Sequence, residues 1–401
     1  MKVASSWSTL PDPQAAANEA YENLFKKLQK PPDLLFVHSS SAYDNQAVLD
    51  RLHLKAPDVP MQGGTSCLGV ISEEGFHTRN QYGIGLLGIH DPEGDYGVGI
   101  AEYGDDPEKA TISALVQALD MASRPGETPA AIVMTSCPGK EESNISAIEA
   151  YLGSSIPILG GTSADNDMSG QWQQFGNGAS CREGISIAVL FPSGDVSYAF
   201  HSGYEPTQHR GRVTEAHDRI LLKIDDRPAA EVYNEWTGGL ISDTLPGGGS
   251  LVPTANFTPI GHQVGEVGGI PYFRLSYPVA VLPDRSIQFF AAVQPKKEIV
   301  LMKGTPDSLV NRPGRVAESA IEAAAFHREE IQGGLFLFCA GCMLAVEERM
   351  GEVVNVLNKT LQGKPFLCSF TLGEQGCFIG GENRHGNLMI ASLLFGPIRT
   401  D

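Results

Sequence analysis

The sequence predicts an α/β protein with mixed β-sheets, flanking helices and pseudo-symmetric duplicated repeats, followed by a β-richer C-terminal domain. Two segments, DVPMQGGTSCLG (58–69) and SIPILGGTSADN (155–166), share the same pattern of apolar residues, proline and GGTS. The shift between them is 160 − 63 = 97 residues, and the register holds back to LLFVHSS (34–40) and AIVMTSC (131–137). A period of about 100 residues indicates a duplicated domain rather than a solenoid.

Each copy reads as the same series of elements. A helix begins at Asp12-Pro13 or Asp106-Pro107, since Asp is a good N-cap and Pro fits the first helical position. A buried apolar strand, a second helix and a short strand follow, predicted at 33–39, 44–54 and 58–62 in the first copy and at 130–136, 141–152 and 155–159 in the second. Hairpins with turns at 91–95 and 192–195 complete the copies.

A weaker third copy is predicted at the C-terminus. GLFLFCAGC (334–342), KPFLCSFTLGE (364–374) and NLMIASLLFG (387–396) match the strands of the earlier copies, and a helix is expected before them at 316–330. The region from 213 to about 305 reads mostly as strands. We therefore expect repeats at 1–105 and 106–212, and a second domain at 213–401.

Composition and charge limit the classes of function. The 401 residues include 29 basic and 47 acidic side chains, so the net charge of −18 disfavours nucleic acid or an anionic membrane as partner. No apolar run reaches the roughly 18–20 residues of a membrane span, and the N-terminus lacks the apolar core of a signal peptide. Seven cysteines, several in apolar strands, indicate reduced thiols and a cytoplasmic location.

The recurring GGTS segment suits the binding of a small anionic group. Paired glycines allow close backbone approach, and the following Thr and Ser add hydroxyl and N–H donors. The segment matches neither a P-loop nor a dinucleotide fingerprint. A tight turn between strands would explain the glycines equally well, so both interpretations stay open.

Two further kinds of chemistry have signals in the sequence. Cys339-Ala-Gly-Cys342 is a CxxC motif after an apolar strand, which is the local context of a thiol oxidoreductase. Ten histidines include a loose cluster at His201, His209 and His217, and one of the ten could serve as a haem ligand. No nucleophile elbow, zinc-protease motif or catalytic triad is evident, so we expect a binding protein rather than an enzyme.

The order of these motifs resembles the FIST family of bacterial sensory proteins. LLFVHSS, the two GGTS segments and GISIAVLF (184–191) resemble its N-terminal region, and ILLKIDDRPAAEVY (220–233) resembles its link. YFRLSYPVAV (272–281), the Cys339 strand, SFTLGE (369–374) and ENRHGNLMIASLL (382–394) resemble its C-terminal region. The resemblance implies a cytoplasmic sensor of a small, amino-acid-like ligand that signals through a separate protein such as a histidine kinase. Some members resemble haem-containing nitric oxide sensors, so haem is an open alternative.

The expected ligand site combines the repeats with the residues that the resemblance brings in. Arg274, Cys339, Glu374 and His385 stand at family positions, while Cys342-Met343 and Gly386-Asn387-Leu388 depart from the usual Arg and His-Asn-polar-Thr patterns. Backbone N–H groups of the GGTS segments would hold an anion, and Asp165, Glu374 and Arg274 would pair with ligand charges. The predicted ligand-binding residues are Ser39, Gly63, Gly64, Thr65, Ser66, Ser136, Gly160, Gly161, Thr162, Ser163, Asp165, Arg274, Cys339, Glu374 and His385.

Overall fold

A computed structural model of the chain describes residues 1–153, 156–267, 270–378 and 380–398. Its helices are α1 (Pro13–Leu28), α2 (Asn45–Lys55), α3 (Pro107–Met121), α4 (Glu141–Leu152), α5 (Ala229–Trp236), α6 (Pro306–Glu322), α7 (Ala340–Ala345) and α8 (Met350–Leu361). Short 3-10 turns lie at Arg328–Glu330 and Glu347–Arg349. Asp12 and Asp106 cap α1 and α3 as predicted, accepting hydrogen bonds from the N–H groups of Ala15 and Lys109.

The strands form four sheets. In chain order they are β1 (Lys2–Ser8), β2 (Leu34–Ser39), β3 (Met61–Thr65), β4 (Val70–Ser72), β5 (Gly75–His77), β6 (Ile84–His90), β7 (Asp95–Glu102), β8 (Ala131–Ser136), β9 (Ile158–Thr162), β10 (Gln174–Gly176), β11 (Ala179–Cys181), β12 (Gly184–Phe191), β13 (Gly194–Ser202), β14 (Glu205–His217), β15 (Ile220–Ile224), β16 (Arg227–Pro228), β17 (Gly249–Ser250), β18 (Ile260–Val267), β19 (Ile270–Ser276), β20 (Pro278–Val281), β21 (Ile287–Phe289), β22 (Glu298–Lys303), β23 (Gly333–Cys339), β24 (Phe366–Thr371), β25 (Glu374–Cys377), β26 (Asn383–Gly386) and β27 (Met389–Ile398).

Three of the sheets have six strands each, and equivalent strands follow one another in the same order in all three. The first is β1-β6-β2-β3-β10-β11, the second is β7-β12-β8-β9-β25-β26, and the third is β13-β27-β23-β24-β4-β5. In each, a central parallel pair (β2/β3, β8/β9 or β23/β24) is flanked by antiparallel neighbours. The strands β14–β22 build a separate nine-stranded sheet. These mixed sheets with flanking helices confirm the predicted fold class, while the division of the chain at residue 212 stays a prediction.

Each six-stranded sheet is completed by a hairpin from elsewhere in the chain. The hairpin β4–β5 follows β3 of the first sheet but pairs with β24 of the third. Likewise, β10–β11 follows β9 of the second sheet and pairs with β3, and β25–β26 follows β24 and pairs with β9. The three sheets are therefore linked in a closed cycle.

The GGTS segments differ from the predicted turn. Their glycines lie inside β3 and β9, in fully buried strands, rather than at a corner after the strand. A Cβ on Gly63 would lie 1.8 Å from the carbonyl oxygen of Val37, and one on Gly161 would lie 2.3 Å from Cγ2 of Thr371. Close packing between neighbouring strands, and not positive φ, requires glycine here.

The helix before the third sheet also differs from the prediction. It spans Pro306–Glu322 rather than 316–330, because Thr305 and Ser308 form a reciprocal capping box and Pro306 occupies the first turn. Pro313 lies inside the helix. Within the described residues, no helix is both long enough and apolar enough to cross a bilayer.

Candidate functional site

A cavity with charged walls lies between the start of α4, the β18–β19 hairpin and the β25–β26 hairpin. Its volume is about 760 Å³, and we call it the Arg274 cavity. Two predicted residues, Arg274 and His385, line its wall together with Glu142 and His262. The β25–β26 hairpin reaches this place because β25 pairs with β9, next to α4.

Arg274 brings a buried positive charge to the wall. Only 7% of the residue is exposed, and its guanidinium donates a hydrogen bond of 3.0 Å to the carbonyl oxygen of Ala292. No carboxylate among the described residues forms an ion pair with it. Burial is the largest influence and lowers the pKa of Arg274 to about 10, so the side chain stays charged at neutral pH. A buried cation without an ion-pair partner is costly and favours an anion in the cavity.

His262 stands directly across the hairpin from Arg274. The two residues are a register pair of β18 and β19. Burial, assisted by the charge of Arg274, holds the pKa of His262 well below its ordinary value, so the imidazole is neutral. Its Nε2 atom is buried and has no hydrogen-bond partner in the described structure.

A network of charges lies at the start of α4, and one of its members, Glu142, lines the cavity. Glu141 and Glu142 occupy the first turn of α4, where the helix dipole favours negative charge. The Arg219 guanidinium donates to both carboxylates at 2.8 Å, and Nδ1 of His385 lies 3.0 Å from Oε1 of Glu142. Oε1 of Glu142 also accepts a hydrogen bond from the N–H group of Ala292. Burial alone would raise the pKa of Glu142, but His385 and Arg219 outweigh it and hold this pKa below its ordinary range.

The same network offers metal-ligand types but already contains a cation. One ligand atom each of Glu141, Glu142 and His385 lies within 4.8 Å of the others. Arg219 bridges both carboxylates, and Glu141 also accepts hydrogen bonds from the Thr162 hydroxyl and the Gly139 N–H group. We therefore interpret it as an ion-pair network.

The predicted residues of the GGTS segments lie where the three sheets meet. The carbonyl oxygens of Thr65, Thr162 and Phe370 accept hydrogen bonds of 3.0, 3.0 and 3.1 Å from the N–H groups of Ala164, Leu372 and Cys67. Because each bond joins one sheet to the next, the segments close into a ring. Members of the predicted set at this junction are Ser39, Gly63, Gly64, Thr65, Ser66, Ser136, Gly160, Gly161, Thr162 and Ser163.

Three serine hydroxyl groups in this junction have partners within the protein, whereas the buried hydroxyl of Ser136 has no hydrogen-bond partner in the described structure. Ser39 donates to Oδ1 of Asn45 at 2.6 Å, and Ser163 donates to the carbonyl oxygen of Gln173 at 2.9 Å. Ser66 donates to the carbonyl oxygen of Gly69 and accepts from the N–H group of Phe370. These hydrogen bonds stabilise the junction itself, and ligand binding by the GGTS segments stays a prediction.

Asp165 and Glu374 also have internal roles. The Asp165 carboxylate accepts hydrogen bonds from the N–H groups of Met168, Gly170 and Gln171 and so orders its own loop. Glu374 is fully buried and accepts from the Thr371 hydroxyl and the Met389 N–H group. Burial raises the pKa of Glu374 well above its ordinary value, which favours the neutral acid.

The CxxC motif lies at the end of β23 and in α7. Cys339 and Cys342 are 4% and 1% exposed. A hydrogen bond from Cys342 lowers the pKa of Cys339, whereas burial raises that of Cys342 well above its ordinary value. All seven cysteines are reduced and buried. Burial separates these thiols from an external substrate, so the structure lends the oxidoreductase alternative no support.

The histidine cluster expected from the sequence is divided between two settings. His201 lies in β13 and lines a second cavity of about 330 Å³, while His209 and His217 lie in the largely exposed β14. Burial, with the charge of Arg312, lowers the pKa of His201 to about 4, so its imidazole is neutral as a haem ligand must be. A neutral imidazole in a cavity wall is the residue type that would hold haem iron, which would supply the capacity to bind a gas.

Three residues of the Arg274 cavity region were not predicted. Glu142 looks like an ordinary acidic residue of a first helical turn, His262 is an isolated histidine in an apolar strand, and Arg219 lies in a short turn between β14 and β15. The one available signal was the acidic pair Glu141-Glu142, which Lys140 separates from Gly139, because such a pair marks the start of a helix.

The fold and the site together define an α/β protein with three cyclically linked sheets, a separate nine-stranded sheet and a charged cavity between them. The family models for the FIST N domain and the FIST C domain match residues 33–227 and 229–377. The chain belongs to the FIST family, whose domains are sensor domains of signal transduction.

Comparison with individual proteins gives weaker likenesses. The uncharacterised protein MJ1623 of Methanocaldococcus jannaschii is 31% identical over 80 residues, which are 20% of this chain and 16% of that protein's length. A solved cyanuric acid hydrolase is 10% identical with a TM-score of 0.33, covering 98% of this chain and 99% of that one. The cyanuric acid hydrolase from A. caulinodans is 9% identical with a TM-score of 0.35, covering 99% of both chains.

Proposed function

We propose that this chain is a cytoplasmic sensor that binds a small amino-acid-like ligand in the Arg274 cavity. The observation that carries the proposal is the guanidinium of Arg274, which is buried, charged and without a carboxylate partner among the described residues. Arginine is well suited to a carboxylate, because its planar fork can donate two parallel hydrogen bonds.

A carboxylate that lines the same cavity would complement a ligand ammonium group. Glu142 lines the same cavity, about a third of its side chain is exposed (35%), and its pKa lies below the ordinary range. The carboxylate is therefore ionised at neutral pH. A zwitterion would place its carboxylate toward Arg274 and its ammonium group toward Glu142.

Ligand binding would connect two parts of the fold. Arg274 belongs to β19 of the nine-stranded sheet, and Glu142 belongs to α4 beside the second six-stranded sheet. A ligand bound to both would stabilise one arrangement of these parts, which is how a ligand shifts a conformational equilibrium. We propose that a separate signalling protein, such as a histidine kinase, recognises that arrangement.

A matched panel of ligands tests the proposal. Isothermal titration calorimetry would compare glycine, histidine and tyrosine with methylamine, histamine and tyramine, which lack the carboxylate. We expect at least one amino acid to bind while its amine does not. Arg274→Gln should weaken that binding at least about tenfold, the loss typical of a charge-assisted hydrogen bond.

Arg227→Gln is the control variant. Arg227 lies outside the lining of the Arg274 cavity, its side chain is exposed and it is paired with Glu235 at 2.6 Å, so its replacement should leave affinity nearly unchanged. Equal affinity of the wild type and Arg274→Gln for the amino acid would refute the placement of the site. Equal binding of the amine would refute the carboxylate as the recognised group.

A further inference from the structure

A second cavity borders the same hairpin but has a different character. Its volume is about 330 Å³, and its walls include the rings of Tyr204, Tyr272, Phe273 and Phe378. We call it the aromatic cavity. Residues of β19 line both cavities, with Arg274 on one and Phe273 on the other. Largely apolar walls with a few polar groups are typical of sites for small organic molecules.

Arg312 supplies the charge of the aromatic cavity. It lies in α6, and its Nε atom is buried without a hydrogen-bond partner in the described structure. No described carboxylate forms an ion pair with this guanidinium. Burial, with the nearby charge of Arg315, lowers the pKa of Arg312 to about 10, which still leaves it charged at neutral pH. This second arginine therefore also lacks a counter-ion.

His201 contributes polarity without adding charge. Its lowered pKa, about 4, keeps the imidazole neutral. The aromatic walls pack against neighbouring rings, since the centroid of the Phe378 ring lies 5.1 Å from that of Tyr272 and 5.0 Å from that of Phe200. These distances are typical of packed aromatic pairs. The cavity thus joins a cation without an ion-pair partner to packed aromatic surfaces.

We propose that the aromatic cavity is a second ligand site, which takes a small aromatic monocarboxylate of about the size of benzoate or phenylacetate. The carboxylate accepts hydrogen bonds from the Arg312 guanidinium and the ring packs against Tyr272, Phe273 and Phe378. One carboxylate matches the one unpaired guanidinium, whereas haem carries two propionates. The site is separate from the Arg274 cavity, because its cation belongs to α6 and not to the β18–β19 hairpin.

Calorimetric titration with benzoate and benzyl alcohol tests this second site. These probes share the ring and differ in charge. We expect benzoate to bind with a stoichiometry of one and benzyl alcohol to bind at least about tenfold more weakly, the factor for one charge-assisted hydrogen bond. Arg312→Gln should remove the difference between the two probes. Arg274→Gln should leave benzoate binding unchanged, which separates the two cavities.

Three results would overturn the proposal. Benzoate affinity could be equal in the wild type and Arg312→Gln, or it could be lost in Arg274→Gln instead, which would assign benzoate to the other cavity. The third result concerns added haem. Haem binding would be seen as a Soret band, and it would overturn the proposal if His201→Ala removed the band while an excess of benzoate did not. A circular dichroism spectrum and an unfolding midpoint for each variant identify any loss that comes from misfolding.

Discussion

Arg274 and His262 face each other across the β18–β19 hairpin, and both side chains reach the Arg274 cavity. Burial, assisted by the charge of the arginine, keeps the histidine neutral, so the pair presents one positive charge and one uncharged imidazole. Neither residue neutralises the other. The cavity is thus arranged for a ligand that brings its own negative charge.

The unpaired state of Arg274 predicts an unusual effect on stability. Arg274→Met should leave the free energy of unfolding in the absence of ligand unchanged or increase it, because the substitution removes a buried charge that has no ion-pair partner among the described residues. Arg219→Met should instead lower it by about 3–5 kcal/mol, because Glu141, whose side chain is 3% exposed, would lose its cation. Urea denaturation measures both values. A loss in Arg274→Met as large as that in Arg219→Met would show that Arg274 is already neutralised within the protein.

The ion pairs of Glu142 predict a dependence of stability on pH. The pKa of Glu142 is depressed in the folded chain. Its ion pairs therefore contribute fully to the free energy of unfolding above the ordinary pKa of 4.5, and this contribution is lost as the pH falls toward the pKa of the folded state. Glu142→Gln should therefore reduce the loss of stability between neutral and acid pH. Urea denaturation at several pH values tests this, with Glu298→Gln, 61% exposed, as the control. An acid slope identical in Glu142→Gln and the wild type would count against the network.

The glycines of β9 should not tolerate replacement by alanine, which adds only a Cβ atom. A Cβ at Gly161 would lie 2.3 Å from Cγ2 of Thr371, so Gly161→Ala should lower the free energy of unfolding by about 1–3 kcal/mol through overpacking. Gly351 has open space around it in α8, and Gly351→Ala should be neutral or stabilise by up to about 1 kcal/mol. Equal effects of the two substitutions in thermal unfolding would contradict the close packing of the strands.

Ser66 should matter for stability rather than for ligand binding. Its hydroxyl accepts a hydrogen bond of 2.8 Å from the N–H group of Phe370, which Ser66→Ala would leave buried without a partner. We expect a loss of about 1–3 kcal/mol, with unchanged affinity for any ligand of the Arg274 cavity. Ser113→Ala, on the exposed face of α3, is the control. Weakened ligand binding in Ser66→Ala without a loss of stability would restore the GGTS segment as a ligand site.

The burial of the thiols predicts slow reaction with Ellman's reagent. All seven cysteines are buried, and burial raises the pKa of Cys67, Cys137 and Cys181 to about 12. The folded protein should therefore react far more slowly than the chain in guanidinium chloride, which exposes all seven. Fast reaction of the folded protein that Cys339→Ser abolishes would reopen the oxidoreductase hypothesis.

The sequence predicted those parts of the fold that depend on local patterns. Apolar runs and Asp-Pro caps located β2, β8, α1 and α3, because these signals lie within a few residues of each other. Glycine pairs were ambiguous, since turns and close strand packing both require glycine. The start of α6 was missed because Pro313 resembles a break, although the cap lies at Thr305.

The candidate site was only partly accessible to sequence reasoning. The family resemblance supplied Arg274 and His385, which line the cavity. Glu142 and Arg219 were not found, because their pairing joins residues 77 positions apart and depends on how the nine-stranded sheet packs against α4. The exchange of hairpins among the sheets likewise depends on pairings between distant segments, such as Gly161 with Glu374.

The cyclic exchange of hairpins also bears on how the protein unfolds. In a solenoid, a terminal unit can detach while the remaining units keep their structure. Here, losing any one of the three sheets would strip two strands from another and expose its edge. Partly folded forms are therefore penalised, and we expect the three sheets to melt in one cooperative transition despite a chain of 401 residues.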